Sequence, residues 1–217
     1  MSTVLAVFTK APVAGQVKTR LARDLGDAAA LAAYEQLVEQ ALRRLAEFAD
    51  DHRCSALWIS EPHAVAQSWL DLLKTDPGRG NGQDKPVHVQ TGADLGARMS
   101  ATIAYHFAQG AQRVVLVGCD LPLLDAAYVS EAVTALQDHA VVFGPAEDGG
   151  YGLIGLRADE QHLLPVLFDQ MSWGTAHVMD HSRARLRRAG VDWQELALLW
   201  DVDELADWQR WQALLQH

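Results

Sequence analysis

The chain has 217 residues, 49% of them hydrophobic and 21% charged, with a formal net charge of −10 when histidine is neutral. That length carries one sizeable domain with a real core, in an ordinary globular balance. So acidic a surface argues against nonspecific binding to DNA or RNA, whose phosphates need a basic face, but leaves room for a local basic pocket that takes one nucleotide.

In chain order, the N-terminus MSTVLAVFTKAP has no basic leader and only a short apolar run, so it reads as a first strand over residues 4–9 and not as a signal peptide. Residues 27–50 form a long helix, with Leu31, Tyr34, Val38, Leu42, Leu45 and Ala49 on one face at three- and four-residue steps. A second strand over 56–60 and a short helix near 64–74 follow. Residues 75–86, TDPGRGNGQDKP, are dense in turn formers and read as a surface loop. Then come a third strand over 87–90, a helix over 94–109 and a strand from Val114. Helix 124–138, strands 140–144 and 152–156, helix 175–189 and a mixed stretch over 193–200 lead to a last helix over 204–216. Leu205, Trp208, Trp211 and Leu215 mark the buried stripe of that helix. The alternation of strand and helix predicts a single-domain, three-layer α/β/α fold on a mostly parallel sheet. No apolar run approaches the roughly 20 residues of a membrane-crossing helix.

The stretch VVLVGCDLPLL over 114–124 is the most informative. Its apolar run reads as a strand buried on both faces, which Pro122 stops. Asp120 then lies just past the C-terminal end of the strand, where open α/β sheets bind ligands. A carboxylate there either caps the next turn or holds a divalent cation that carries phosphates. The two cysteines are Cys54 and Cys119, and Cys119, inside this run, reads as a small core residue in a reduced, cytoplasmic setting.

Four other segments carry candidate chemistry. The loop after the first strand, KAPVAGQVKTRL, has Lys10, Lys18 and Arg20 with no acid before Arg23, and Gly15 allows close backbone approach. It is either a solvated loop or a phosphate cradle, and it is neither a Walker A loop nor a dinucleotide loop. In QTGADLGARM, Asp94 reads as an N-cap, Gly96 as a point of close packing and Arg98 as a cation in the first turns of a helix. GPAEDGGYGLIG is either a hairpin turn with solvated acids or a turn that presents Gly149 and Gly150 amides, Tyr151 and Asp148 to a ligand. There Asp148 would hold an acceptor hydroxyl, act as a base or join Asp120 at a metal. In WDVDELADW, Asp201 and Asp203 share a side if extended, a spacing that can chelate a hard cation, although Asp203 also suits the N-cap of the last helix. Among weaker signals, His177 and His181 have metal-ligand spacing without an adjacent Glu and read as a surface face, and Trp173 could line a pocket.

Taken together, these segments resemble the DUF2064, glycosyltransferase A-like family, which is related to the nucleotide-diphospho-sugar transferases and more distantly to phospholactate guanylyltransferase. The resemblance rests on FTKAPVAGQVKTRL over 8–21, GADLGARM over 92–99, GCDLPLL over 118–124, GPAEDGGYGLIG over 144–155, WGT over 173–175 and DVDELADW over 201–208. It implies a Rossmann-like GT-A fold with a nucleotide over the C-terminal strand edges. It further implies Asp120, with Asp203, as ligands to Mg2+ or Mn2+, and Lys18 and Arg20 beside the phosphates. The chain departs from the sugar nucleotidyltransferases in lacking their glycine-rich first loop, and from glycosyltransferases in having a single acid in GCDL.

The expected function is therefore metal-dependent transfer from an activated nucleotide, first of a sugar from a nucleoside-diphosphate sugar to a small-molecule acceptor. The alternative is nucleotidyl transfer from a nucleoside triphosphate to a phosphorylated acceptor, and a second alternative is a non-catalytic nucleotide-binding module. Asp120 and Asp148 are the expected catalytic residues. Lys10, Gly15, Lys18, Arg20, Arg98, Gly149, Gly150, Tyr151 and Trp173 are expected to bind substrate, with no nucleic acid and no membrane as partner.

Overall fold

The computed structural model describes residues 2–48, 53–60 and 86–216. The expected helix at 64–74 and nearly all of the expected loop at 75–86 lie outside the described residues. Seven strands form one sheet in the order β3-β2-β1-β4-β6-β5-β7. They are β1 (Thr3–Thr9), β2 (Arg53–Ile59), β3 (Val87–Val89), β4 (Arg113–Val117), β5 (Val141–Pro145), β6 (Tyr151–Arg157) and β7 (Trp193–Glu195). All neighbours pair in parallel except β6, which runs antiparallel to both β4 and β5. The expected mostly parallel sheet is thus present, with one reversed strand inside it.

The helices are α1 (Ala22–Leu25), α2 (Asp27–Arg44), α3 (Leu95–Ala108), α4 (Ala126–Ala135), α5 (Leu164–Phe168), α6 (Val178–Ala189) and α7 (Leu205–Leu214). Alternate strand residues face opposite layers, as the two-residue period of a strand requires. Leu5, Val7, Val115, Val117 and Leu153 pack under α2 and α4 through Tyr34, Val38, Val129 and Ala132. Val4, Ala6, Phe8, Val114, Leu116 and Ile154 pack under α3, α5 and α6 through Ile103, Phe107, Leu167 and Met179. With helices on both faces, β1 is buried along its whole length, which is why it reads as an unbroken apolar run. No helix among the described residues is long and apolar enough to cross a membrane.

Three element boundaries differ from the sequence reading. The long helix expected over 27–50 ends at Arg44, and a tight turn at Ala46–Phe48 swings Phe48 into the core. Residues 158–168, which carry no clear apolar period, form a 3-10 turn and α5, with a proline in its first turn as helix starts favour. On α7, Trp211 is buried but Leu215 lies beyond the last helical residue and is exposed.

One buried polar pair couples this core to pH. Trp58 Nε1 donates to His106 Nε2 at 3.0 Å, and His106 is only 6% exposed. Burial first, and the charge of His88 second, push the His106 pKa down to about 4. An unfolded histidine titrates near 6.5, so the unfolded chain binds more protons between those values. Stability is therefore present above about pH 6.5 and lost as pH falls toward about 4, by about 3 kcal/mol in all. Urea midpoints measured across that window should fall for the wild type, and His106→Gln, which keeps an acceptor for Trp58, should flatten that part of the profile. A His106→Gln profile as steep as that of the wild type would contradict the assignment.

Candidate active site

The strand order fixes where a site can form. From β1 the chain moves outward to β2 and β3, then returns to the other side of β1 for β4. The loops leaving β1 and β4 diverge, which opens a crevice at the C-terminal strand edge. Because β6 is antiparallel, its first residues lie at that same edge, where Gly118 N–H donates to Gly152 O at 3.0 Å. The turn between β5 and β6, and the segment after β7, arrive there too.

The turn between β5 and β6 leaves little space. Gly149 has φ +84°, and a Cβ on it would lie 2.1 Å from Ala176 O. Gly150 N–H donates to Asp148 Oδ1 at 2.8 Å, closing the turn around an exposed carboxylate. The turn also anchors α7. Arg210 pairs with Glu147 at 2.9 Å and lies over the Trp200 ring at 4.1 Å.

Tyr34, buried on α2, ties the crevice walls together. Its hydroxyl receives Lys10 N–H at 2.7 Å, lies 2.6 Å from Thr9 Oγ1 and is 3.8 Å from Cys119 Sγ. The first loop then turns at Gly15, where Gln16 N–H donates to Val13 O at 3.0 Å with Gly15 at φ +75°, a type II turn. Val17 and Leu21 plug into the core and carry Lys18 inward between them.

Three carboxylates meet at the crevice. Val202 N–H donates to Asp120 O at 3.1 Å, which lays the DVD segment beside the end of β4. One ligand atom each from Asp120, Asp201 and Asp203 then falls within 4.8 Å of the others. Lys18 Nζ lies 2.7 Å from Asp120 Oδ2 and 2.9 Å from Asp203 Oδ1. Arg20 Nη1 reaches Asp203 Oδ2 at 3.4 Å. The competing capping roles belong to other residues. The N-cap of α4 is Asp125, which accepts Tyr128 N–H at 2.8 Å, and the N-cap of α7 is Glu204.

Electrostatics follow from this crowding. Burial opposes ionisation of Asp120, but Lys18 beside it holds its carboxyl below the usual carboxylate range. Burial likewise opposes charge on Lys18, and Asp120 and Asp203 together still raise it above an ordinary lysine. Asp201 is pushed up to about 7, by burial first and then by the charges of Asp120, Asp203 and Asp148. Such a cluster holds more negative charge than its own cation offsets. The donors are all carboxylate oxygens, which suit a hard divalent cation such as Mg2+ or Mn2+, so the residues present fit such an ion.

The structure brings Asp120, Asp203, Lys18 and Arg20 into direct contact, and adds Asp201. The pairing of Asp201 with Asp203 was visible in their spacing, whereas the approach to Asp120, 81 residues earlier, comes from the Val202 backbone bond. Lys10 is exposed just past β1, and its charge reaches Asp120. Asp148 is felt by Asp201 but is not one of the three clustered ligands. The other candidates make contacts of their own. Arg98 donates to Gly92 O at 3.2 Å in the first turn of α3. Trp173 packs against Gly96, where a Cβ would sit 2.6 Å from its Nε1. The Tyr151 and Trp173 rings lie edge to face with centroids 6.3 Å apart. His177 and His181 are exposed with ring centroids 6.3 Å apart, on the surface as the sequence suggested.

Comparison with known proteins agrees with this architecture. The profile of a family described as an uncharacterised protein conserved in bacteria (DUF2064) matches residues 45–175. No curated protein sequence matches the chain. Among solved structures, a protein from Desulfovibrio desulfuricans G20, named only provisionally as a nucleotide-diphospho-sugar transferase, is 33% identical with a TM-score of 0.81 over 96% of this chain and 85% of that one. CMP:2-keto-3-deoxy-manno-octonic acid synthetase complexed with CTP is 13% identical, with a TM-score of 0.59 over 100% of this chain and 99% of that one. Glucosyl-3-phosphoglycerate synthase from Mycobacterium tuberculosis, in complex with Mn2+, UDP and glucosyl-3-phosphoglycerate, is 9% identical, with a TM-score of 0.56 over 96% of this chain and 75% of that one. The last two share the fold alone. That fold is the GT-A-like fold of nucleotide-diphospho-sugar transferases.

Proposed function

The chain belongs to the DUF2064 family, and from that premise we propose that it is a divalent-metal-dependent transferase acting on an activated nucleotide, with glycosyl transfer from a nucleoside-diphosphate sugar as its reaction. The observation that carries this reading is the convergence of Asp120, Asp201 and Asp203 with Lys18 and Arg20 at the β1–β4 crevice. The provisional name of the 33%-identical relative supports the same donor class.

In this reading Asp120 and Asp203, joined by Asp201, hold Mg2+ or Mn2+. When bound, the ion supplies Lewis-acid charge that stabilises the departing diphosphate. Arg20, 55% exposed in its side chain, and the exposed Lys10 face the donor phosphates. The acceptor approaches from the β5–β6 turn. There Asp148 uses Oδ1 to accept Gly150 N–H, which leaves Oδ2 to take the proton of an acceptor hydroxyl. Tyr151 and Trp173 form the apolar wall on that side. We place the protein in the cytoplasm, in keeping with the buried free thiol of Cys119.

Nucleotidyl transfer is a second reading, favoured by the exposed cations Lys10 and Arg20 of the first loop, since a triphosphate asks for more positive charge than a diphosphate sugar. One assay separates the readings. With Mn2+, a panel of nucleoside-diphosphate sugars and nucleoside triphosphates is offered with simple hydroxylated and phosphorylated acceptors. Release of nucleoside diphosphate supports glycosyl transfer, and release of pyrophosphate supports nucleotidyl transfer. Metal-dependent nucleotide binding with neither product would leave a non-catalytic module and contradict the proposal.

A further inference from the structure

We propose that Lys18 is an internal counter-cation of the acidic cluster: it competes with the divalent ion for Asp120 and Asp203 and sets how tightly that ion is held. This rests on the reading above that the cluster takes a metal. It assigns Lys18 a different task from gripping phosphates.

Burial separates the two tasks. The Lys18 side chain is 5% exposed, whereas those of Asp120 and Asp203 are 33% and 38% exposed. The ammonium therefore lies beneath the carboxylates, which themselves face the crevice. A phosphate in the crevice meets Arg20, 55% exposed, before it meets Lys18. Two Lys18 hydrogen bonds, at 2.7 and 2.9 Å, are already spent on Asp120 and Asp203.

The backbone fixes this inward direction. Lys18 has φ +45°, the left-handed region that costs free energy in any residue with a Cβ. Such a conformation persists only where its surroundings over-determine it. Here Val17 and Leu21 are 1% and 0% exposed on either side, and Ala22 N–H donates to Lys18 O at 2.9 Å.

Charge counting gives the consequence. The Lys18 ammonium offsets one of the negative charges that Asp120, Asp201 and Asp203 bring together, and the more exposed Arg20 guanidinium meets Asp203 at 3.4 Å from the rim. The ammonium is hydrogen-bonded to Asp120 and Asp203 and acts on Asp201 through its charge alone. Without Lys18 the cluster would lose one positive charge, repel itself more when empty and attract a divalent ion more strongly. Lys18 thus holds the empty site together and weakens the grip on metal, so that the ion can be exchanged.

Mn2+ binding followed by electron paramagnetic resonance, on wild type, Asp120→Asn and Lys18→Met, tests this without any substrate. The expected results are one Mn2+ bound by wild type, at least tenfold weaker binding by Asp120→Asn and at least tenfold tighter binding by Lys18→Met. Lys18→Met should also melt earlier than wild type without metal and recover with Mn2+. Lys18→Met binding Mn2+ no more tightly than wild type, while Asp120→Asn is weakened, overturns this inference and leaves the metal site standing. Equal Mn2+ binding by wild type and Asp120→Asn overturns the metal reading, and this inference with it. Should Lys18→Met fail to fold, 15N-lysine labelling of the wild type supplies the test. The Lys18 ammonium resonance should be protected from exchange and shift on addition of Mg2+, and a resonance unmoved at saturating Mg2+ overturns the inference.

Discussion

Asp120→Asn is expected to lower turnover about a thousand-fold, the loss of about 4 kcal/mol of transition-state stabilisation that a misplaced metal implies. The fold should survive the change. Lys18 keeps Asp203 at 2.9 Å, and Val202 N–H still donates to the backbone oxygen of residue 120, so the walls of the site stay docked. The deficit should fall on kcat more than on nucleotide affinity, because Arg20 and Lys10 are untouched. Steady-state kinetics on the donor found by the assay above checks this. Activity within tenfold of wild type would remove Asp120 from the centre of the site.

Gly149→Ala is expected to destabilise the protein by about 3 kcal/mol or more. A methyl group there would approach Ala176 O to 2.1 Å, and the clash is with backbone, which cannot rotate away. Left-handed backbone adds about 1 kcal/mol for any residue with a Cβ, and overpacking about 1–3 kcal/mol. The same turn receives Met179 N–H on Gly149 O at 2.9 Å, so the start of α6 should loosen with it. Gly150→Ala is the control. Its φ is not in the left-handed region, and its Cβ would meet only the Asp148 side chain, at 3.2 Å. Denaturant unfolding should therefore show a small change for Gly150→Ala, under about 1 kcal/mol, beside the large one for Gly149→Ala. Equal losses would mean that contact with Ala176 is not what selects glycine at position 149.

Much of this architecture was legible in the sequence because burial on both faces leaves an unbroken apolar run. β1 and β4 showed it, and the end of the β4 run located Asp120 at the strand edge. The hairpin reading of GPAEDGGYGLIG implies that β6 runs back against β5, as it does, but an apolar run shows no direction and so gave no sign that β6 also lies antiparallel beside β4. Capping was ambiguous for a related reason. Asp120 and Asp125 both precede α4, as Asp203 and Glu204 both precede α7, and only the backbone path decides that Asp125 and Glu204 take the caps. The burial of Lys18 could not be read either. A lysine in a polar loop reads as solvated until two carboxylates from residues 120 and 203 are folded onto it. The early end of α2 and the presence of α5 were missed because short helical segments carry too few turns for a period to show.

The most direct measurement is anomalous diffraction at a Mn2+-sensitive wavelength from a crystal grown with Mn2+ and a nucleotide. A single strong peak is predicted in contact with Asp120 and Asp203, at about 2.2 Å from their oxygens, with the nucleotide phosphates beside it in the β1–β4 crevice. A peak away from these carboxylates, or a nucleotide bound outside that crevice, would contradict the account.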